Sequence, residues 1–333
     1  MRFAVEAWAP EYGAAAADAA LEATAEEVDL AVEVPEVDWA PRRPASWVTA
    51  PEEVCFVDGV RRVDARVWVT TGAGPGPARP GICASYAAGV VRCDGTAELV
   101  EVSVGRRLFS PIVDAEAIAT PHGRWSPHPV ASDQPEALSL ALQGAMADLE
   151  HQVSVAAGAD RSGRGHRLLV LDGPLRLRHR LPGAVGYIKT HHRSYLPDRG
   201  LAVVAALSPG QRTPVFLIGG RWSRWSWYLR LPTAPTHDWA GVVRCEASLD
   251  LPAPEVRTVA DQVTLALPRF ASAAHKDHRA PQNLYPIGGL ERDLRHRLGD
   301  PALILRTLRS AAAAVSQESR PEPAAAAGSV PAR

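Results

Sequence analysis

Phe56-Val57-Asp58-Gly59 and Leu169-Val170-Leu171-Asp172-Gly173-Pro174-Leu175 are the two stretches whose reading decides the fold. Each is an apolar run, the composition of a buried strand, that ends in an aspartate followed by a glycine. An Asp at the mouth of such a strand is a carboxylate held on a rigid element, and the Gly after it predicts that the chain turns away. Two such carboxylates, distant in sequence, meet when their strands lie side by side. That pattern builds the oxygen-donor sites that Mg²⁺ and Mn²⁺ occupy in phosphodiester chemistry. Asp-Gly is also among the commonest turn dipeptides, so either aspartate taken alone reads first as a turn residue.

The bulk composition bounds the rest. The 333 residues are 46% hydrophobic, enough for one large packed domain or two modest ones. Lys+Arg 36 against Asp+Glu 37 gives a net charge of -1. Global charge therefore predicts no nucleic-acid partner, and a DNA-binding face has to be a local basic patch. Cys55, Cys83, Cys93 and Cys245 lack any C-x-x-C spacing, which argues against a zinc site or a disulfide frame and for a reducing cytoplasm. Met1–Glu6 does not open a signal peptide, and no window reads as a membrane span. The expectation is a soluble cytoplasmic protein with no membrane contact.

Working outward, residues 1–50 are rich in Ala, Glu and Pro and read as an N-terminal extension, with a short helix over Ala14–Glu27 and a linker around Pro41-Arg42-Arg43-Pro44. Strands are expected at Val54–Asp58, Arg62–Thr70, Ile82–Val91 and Ala97–Val104. The Gly- and Pro-rich segment at 72–77 lacks the Gly-Lys-Ser/Thr ending of a phosphate loop and reads as a plain loop. Asp133-Gln134-Pro135-Glu136 carries helix-start signals, and the helix runs to about Ala156. Further strands are expected at His166–Leu171, Ala184–Lys189, Leu201–Ala206, Pro214–Gly219, Trp225–Leu231 and Gly241–Glu246. Helices are expected at Glu255–Ala274, Gly289–Leu298 and Pro301–Ala314, with 317–333 a disordered tail. This order predicts an α/β fold, a mixed sheet flanked by helices, in one catalytic domain over 51–316.

Several side chains stand out. Glu150 borders the apolar face of the long helix, which leads directly to the strand of Asp172; Glu136 lies in its first turn. An exposed helix glutamate is the plainer reading of Glu150. Lys189 ends Gly186-Tyr187-Ile188-Lys189 and can steady a phosphate, or simply be a solvated strand end. His191, His192, Arg193 and Tyr195 follow as a basic and aromatic cluster suited to single-stranded nucleic acid. The stretch from Arg221 to Tyr228 is the densest in aromatics and reads as core or interface at least as well as a base-stacking surface; Arg230 and Arg244 lie near the same strand ends. Near the C-terminus, Leu284-Tyr285-Pro286-Ile287-Gly288-Gly289 precedes a charged helix. There Asp293 follows Leu290 by one turn, while Glu291 and His296 are expected to point elsewhere. An ion pair of Asp293 with Arg297 explains that residue as well as a ligand role does.

Taken together, the ordered segments at 56–59, Glu150, 171–175, 186–189, 227–231 (Trp-Tyr-Leu-Arg-Leu), 242–246 (Val-Val-Arg-Cys-Glu) and 284–287 resemble the NurA nuclease family, the exonucleases that work with the HerA translocase. The resemblance covers about 240 residues and leaves out residues 1–50 and the tail. It implies an RNase H-like sheet, a homodimer, and a Mn²⁺- or Mg²⁺-dependent nuclease that processes DNA ends with a HerA-like hexameric ATPase. By position, Asp58, Asp172, Glu150 (or Glu136) and Asp293 would be the metal-binding carboxylates, and Lys189 and Tyr285 would be further site residues. Lys189, His191, His192, Arg193 and Arg230 would face DNA. The family often has His where this chain has Asp293. That departure keeps a second reading open, a catalytically inactive adaptor that binds DNA or the ATPase; a third is an RNA-processing nuclease on the same sheet. No Gly-x-Ser-x-Gly is present, which argues against a serine hydrolase.

Overall fold

The computed structural model describes residues 27–70, 77–159, 167–175, 181, 183–191, 195–220, 222–233 and 236–318. The expected helix at 14–27, all but its last residue, the loop at 72–77, all but Pro77, His192, Arg193, Arg221 and most of the tail lie outside those residues. The fold is α/β, a large mixed sheet flanked by helices, and the chain forms two compact units.

The first unit comprises Met1–Val60, Ala87–Ser103 and Ala145–Arg297. Its strand order is β1 (Val28–Asp29), β9 (Phe216–Ile218), β10 (Arg224–Arg230), β11 (Val242–Ser248), β8 (Ala184–Ile188), β7 (Arg167–Asp172), then the first half of β2 (Glu53–Val69) and segments of β3 (Arg79–Cys93) and β4 (Ala97–Ser110). β2, β7 and β8 are mutually parallel; β8, β11, β10, β9 and β1 are joined antiparallel. Only three residues link β3 to β4, a connection too short for anything but an antiparallel pair.

Alternation along these strands sorts the two faces. Val54, Phe56, Leu168, Val170, Val185, Tyr187, Trp227 and Cys245 point to one face. There they pack against Val256, Ala260 and Val263 of α3 (Ala253–Ala266) and Ile287 of α4 (Tyr285–Arg297). Each buried Val or Leu in this layer contributes roughly 1.5–3 kcal/mol of transfer free energy. On the other face Phe216, Ile218, Tyr228 and Val242 meet Val203 and Val204 of α2 (Asp198–Ala205). Asp58 and Asp172 continue the alternation of the first face.

The second unit comprises Arg61–Tyr86, Val104–Gly144 and Leu298–Arg333. The far half of β2 and segments of β3 and β4 continue into β6 (Gly123–Pro129) and β5 (Ile118–Thr120), and α5 (Pro301–Glu318) supplies Ile304 and Leu308 to its core. Asp64 is buried here and accepts hydrogen bonds from Ser85 Oγ, Trp125 Nε1 and Arg62 Nε.

Three local expectations change. The stretch expected as a strand at Leu201–Ala206 is instead helical to Ala205, as part of α2, because the buried positions there, Gly200, Val203, Val204 and Leu207, follow a three-to-four residue period. The chain does not turn at Gly59; β2 runs through it as one 17-residue strand. Gly173 does turn, with φ 95°, and exchanges two hydrogen bonds with Tyr187. The segment read as a linker is built into the first unit. Arg42 bridges to Arg212, and Glu33 pairs with both arginines. Leu30 and Trp39 are buried.

Candidate active site

The parallel register places Val57 beside Leu171, so the next residue of each strand brings Asp58 and Asp172 alongside one another. β7 ends at that point, and Asp172 is in turn in register with Tyr187. Lys189, two residues further on, shares the face of Tyr187 at the end of β8. Two carboxylates and an ammonium therefore meet where β7 and β8 finish beside β2, the kind of location that α/β sheets habitually use for ligands. Lys189 Nζ donates to Asp172 Oδ2 at 2.6 Å. Asp58 is buried, and its Oδ1 accepts from its neighbour Gly59 N at 2.8 Å.

Glu150 comes from α1 (Pro135–Ala159). It is buried beside Leu149 and Val153, and Ser154 Oγ donates back to its carbonyl at 2.6 Å. A Cβ built on Gly59 would stand 2.5 Å from Glu150 Oε1. The glycine thus serves close approach rather than a turn: it leaves the room in which this carboxylate lies against β2.

The electrostatics follow from the crowding. Burial pushes the Asp58 carboxyl well above the ordinary carboxylate range, the Asp172 charge pushes the same way, and Glu150 and Glu291 add to it against the pull of Lys189. For Lys189, burial works against the ammonium, but Asp172 and Asp58 outweigh it and hold the group charged above the usual lysine range.

A second layer steadies the lysine. Asn283 is buried, and its Oδ1 lies 3.5 Å from Lys189 Nζ while its Nδ2 donates to Asp277 Oδ2. Arg279 pairs with Glu291 of α4 at 2.8 Å and lies against Asp277. Burial pushes the Glu291 carboxyl up, yet the hydrogen bond and charge of Arg279, with the charges of Arg295 and Lys189, together outweigh it and hold the group below the ordinary carboxylate range. Tyr187 Oη donates to the Gln282 carbonyl, which ties the same segment to β8.

The remaining sequence-selected residues are placed differently. Asp293 lies on the exposed side of α4 in an ion pair with Arg297, whereas Ile287, Leu290 and Leu294 face inward. Glu291, expected to point elsewhere, is the α4 carboxylate whose charge acts on Asp58 and Lys189. Tyr285 opens α4 half-exposed; its hydroxyl accepts from Ala273 N, and Lys276 sits over its ring. Glu136 is exposed in the first turn of α1, fourteen residues before Glu150 in the sequence. His191 faces Val242 O at 2.9 Å through Nε2 and packs on Tyr228 and Trp239. Arg230 is buried among the carbonyls of Val204, Asp238 and Ala240. Arg244 and Arg224 close on the fully buried Glu246 and lie over the Tyr195 ring. Asn283 and Glu291 escaped the sequence reading. The available signal was the run from Gln282 to Ile287, whose helical continuation sets the phase of Glu291.

Among the described residues, no three His, Cys, Asp or Glu side chains are already gathered as a metal site; Lys189 is the cation facing Asp172 and Asp58. The donor set nonetheless suits a hard divalent cation. It consists of carboxylate oxygens on rigid elements, and burial together with the neighbouring carboxylates outweighs the one ammonium in holding Asp58 toward its protonated form.

No protein-family model and no curated protein matches this sequence.

Proposed function

We propose that the protein is a divalent-metal-dependent DNA nuclease of the NurA kind. One observation carries the reading: Asp58, Asp172 and Lys189 converge where β7 and β8 end beside the parallel β2, with Glu150 laid against the same point of β2. The central order β4-β3-β2-β7-β8, a meander followed by a helix and two strands parallel to β2, supports an RNase H-like sheet.

Asp58, Glu150 and Asp172 would hold one or two Mn²⁺ or Mg²⁺ ions, which supply an acidified water and positive charge at the scissile phosphate. Lys189, kept charged by its two aspartates, stabilises negative charge that grows on the non-bridging oxygens. Asn283 fixes the lysine, and Gly59 fixes the depth to which Glu150 reaches. Asp293 takes no part in this account, and Glu291 acts through its charge on Asp58 and Lys189. The resemblance further implies a cytoplasmic homodimer that serves a HerA-like hexameric ATPase in DNA end processing.

The test is degradation of end-labelled single- and double-stranded DNA with Mn²⁺, Mg²⁺ or EDTA, beside an Asp172→Ala control. Metal-dependent degradation that the substitution removes supports the nuclease. No cleavage with any metal, with a HerA-type partner and ATP added, overturns it and leaves the adaptor.

A further inference from the structure

Two of the side chains expected from sequence to meet nucleic acid are spent inside the fold: Arg230 on backbone carbonyls, His191 on a carbonyl and two aromatic rings. An exposed combination of the same chemistry occurs in the second unit. Trp68, on the far half of β2, has 75% of its surface open to solvent. Arg66 lies two residues before it, on the same side of the strand, and is exposed with no ion-pair partner among the described residues. Beside them is a cavity of about 750 Å³ whose walls include Arg61, Val63, Leu138 and Leu142. Asp133, an acidic residue on that wall, is bound to Arg79 at 2.9 Å.

We infer that this groove is a second nucleic-acid site, for single-stranded DNA. The occupant follows from the charges and shapes. An open indole beside an aliphatic floor offers a stacking platform to unpaired bases, which a duplex keeps covered. The arginines around it complement a phosphate backbone. An acidic peptide would satisfy the cations but gives no use to a Trp face left open at the rim. The site is distinct in its residues from the strand-end carboxylates and rests on the nuclease reading only in the choice of DNA over RNA.

The experiment is fluorescence anisotropy of a labelled oligo(dT) titrated with the full chain in EDTA, so that binding is read without cleavage. Trp68→Ala should weaken binding by about 5- to 150-fold, the range for loss of one stacked base, while Trp68→Phe keeps most of it. Arg66→Ala should lower the slope of log affinity against log salt by about 0.7, one phosphate contact on a single strand. Asp293→Ala, an exposed residue outside both sites, should bind as the unaltered chain does. Equal affinity of unaltered chain and both Trp68 and Arg66 variants overturns the inference, as does duplex bound as tightly as oligo(dT). A change in oligomeric state of Trp68→Ala on size exclusion with DNA affinity intact also overturns it, in favour of a protein-docking face. Loss of oligo(dT) binding in the groove variants without any metal-dependent cleavage by the unaltered chain would leave this site standing and the nuclease reading fallen. If Trp68→Ala fails to fold by circular dichroism, Trp68→Phe and Arg66→Ala carry the test.

Discussion

Gly59 and Glu150 share one space: the position a Cβ would take on the strand residue lies 2.5 Å from the carboxylate oxygen of the helix residue. The obstructing atom is the far end of a flexible side chain, so Gly59→Ala should move Glu150 rather than unfold the sheet. The expected result is a loss of cleavage on the order of 10²-fold, as for misplaced catalytic groups generally, with a small change in melting temperature. Single-turnover rates beside a thermal melt check this; a large fall in stability with the rate preserved would contradict it.

Gly144 provides the contrast within α1. A Cβ there meets nothing within 4 Å, and the position is exposed. Gly144→Ala should stabilise the protein by about 0.5–1 kcal/mol through helix propensity alone, measured by denaturant titration.

The raised Asp58 carboxyl gives a pH dependence. Between the unfolded pKa, about 3.9 for Asp, and the higher folded value, the native state holds the extra proton. Stability from this group is therefore present below the unfolded pKa and falls as pH rises through that window. Asp58→Asn should be more stable than the unaltered chain at neutral pH in EDTA, with the advantage shrinking toward pH 4. Melting curves across pH in EDTA read this directly, and an advantage that grows on acidification would refute it.

Arg212 is fully buried between Glu33 and Asp261, with Nη1 at 2.8 Å and Nε at 2.7 Å from them. Arg212→Ala removes the ion-pair partner of Asp261 and leaves Glu33 with Arg42 alone. The expected cost is about 3–5 kcal/mol in an equilibrium unfolding experiment, the scale for breaking a buried pair.

What was legible in the sequence depended on the range of the signal. The apolar run at 169–171 is read correctly as a strand because its length and β-branched or aliphatic composition leave little else. Leu201–Ala206 is too short for its period to show, and the helix emerges only when Gly200 and Leu207 are counted with it. Asp58-Gly59 carries a turn signal that the tertiary structure overrides: the chain stays extended through it as part of the 17-residue β2, and the glycine serves a helix that reaches it from some ninety residues away in sequence. The α4 phase was lost by starting the helix at Gly289. With Ile287 included, the inward positions are 287, 290 and 294; Glu291, four residues after Ile287, borders that stripe, while Asp293 lies farther round the helix. The exposed Trp68 had no local signature, since alternation marks a face without saying what covers it.

The most direct test is the single-turnover rate of DNA cleavage in Mn²⁺ for Asp58→Asn, Glu150→Gln and Asp293→Ala, compared side by side with the unaltered chain. The account predicts losses of roughly 10²-fold or more for the first two and a rate within about twofold of the original for the third. Retained cleavage in Asp58→Asn, or a loss in Asp293→Ala equal to that in Glu150→Gln, would contradict the placement of the reaction at the strand ends.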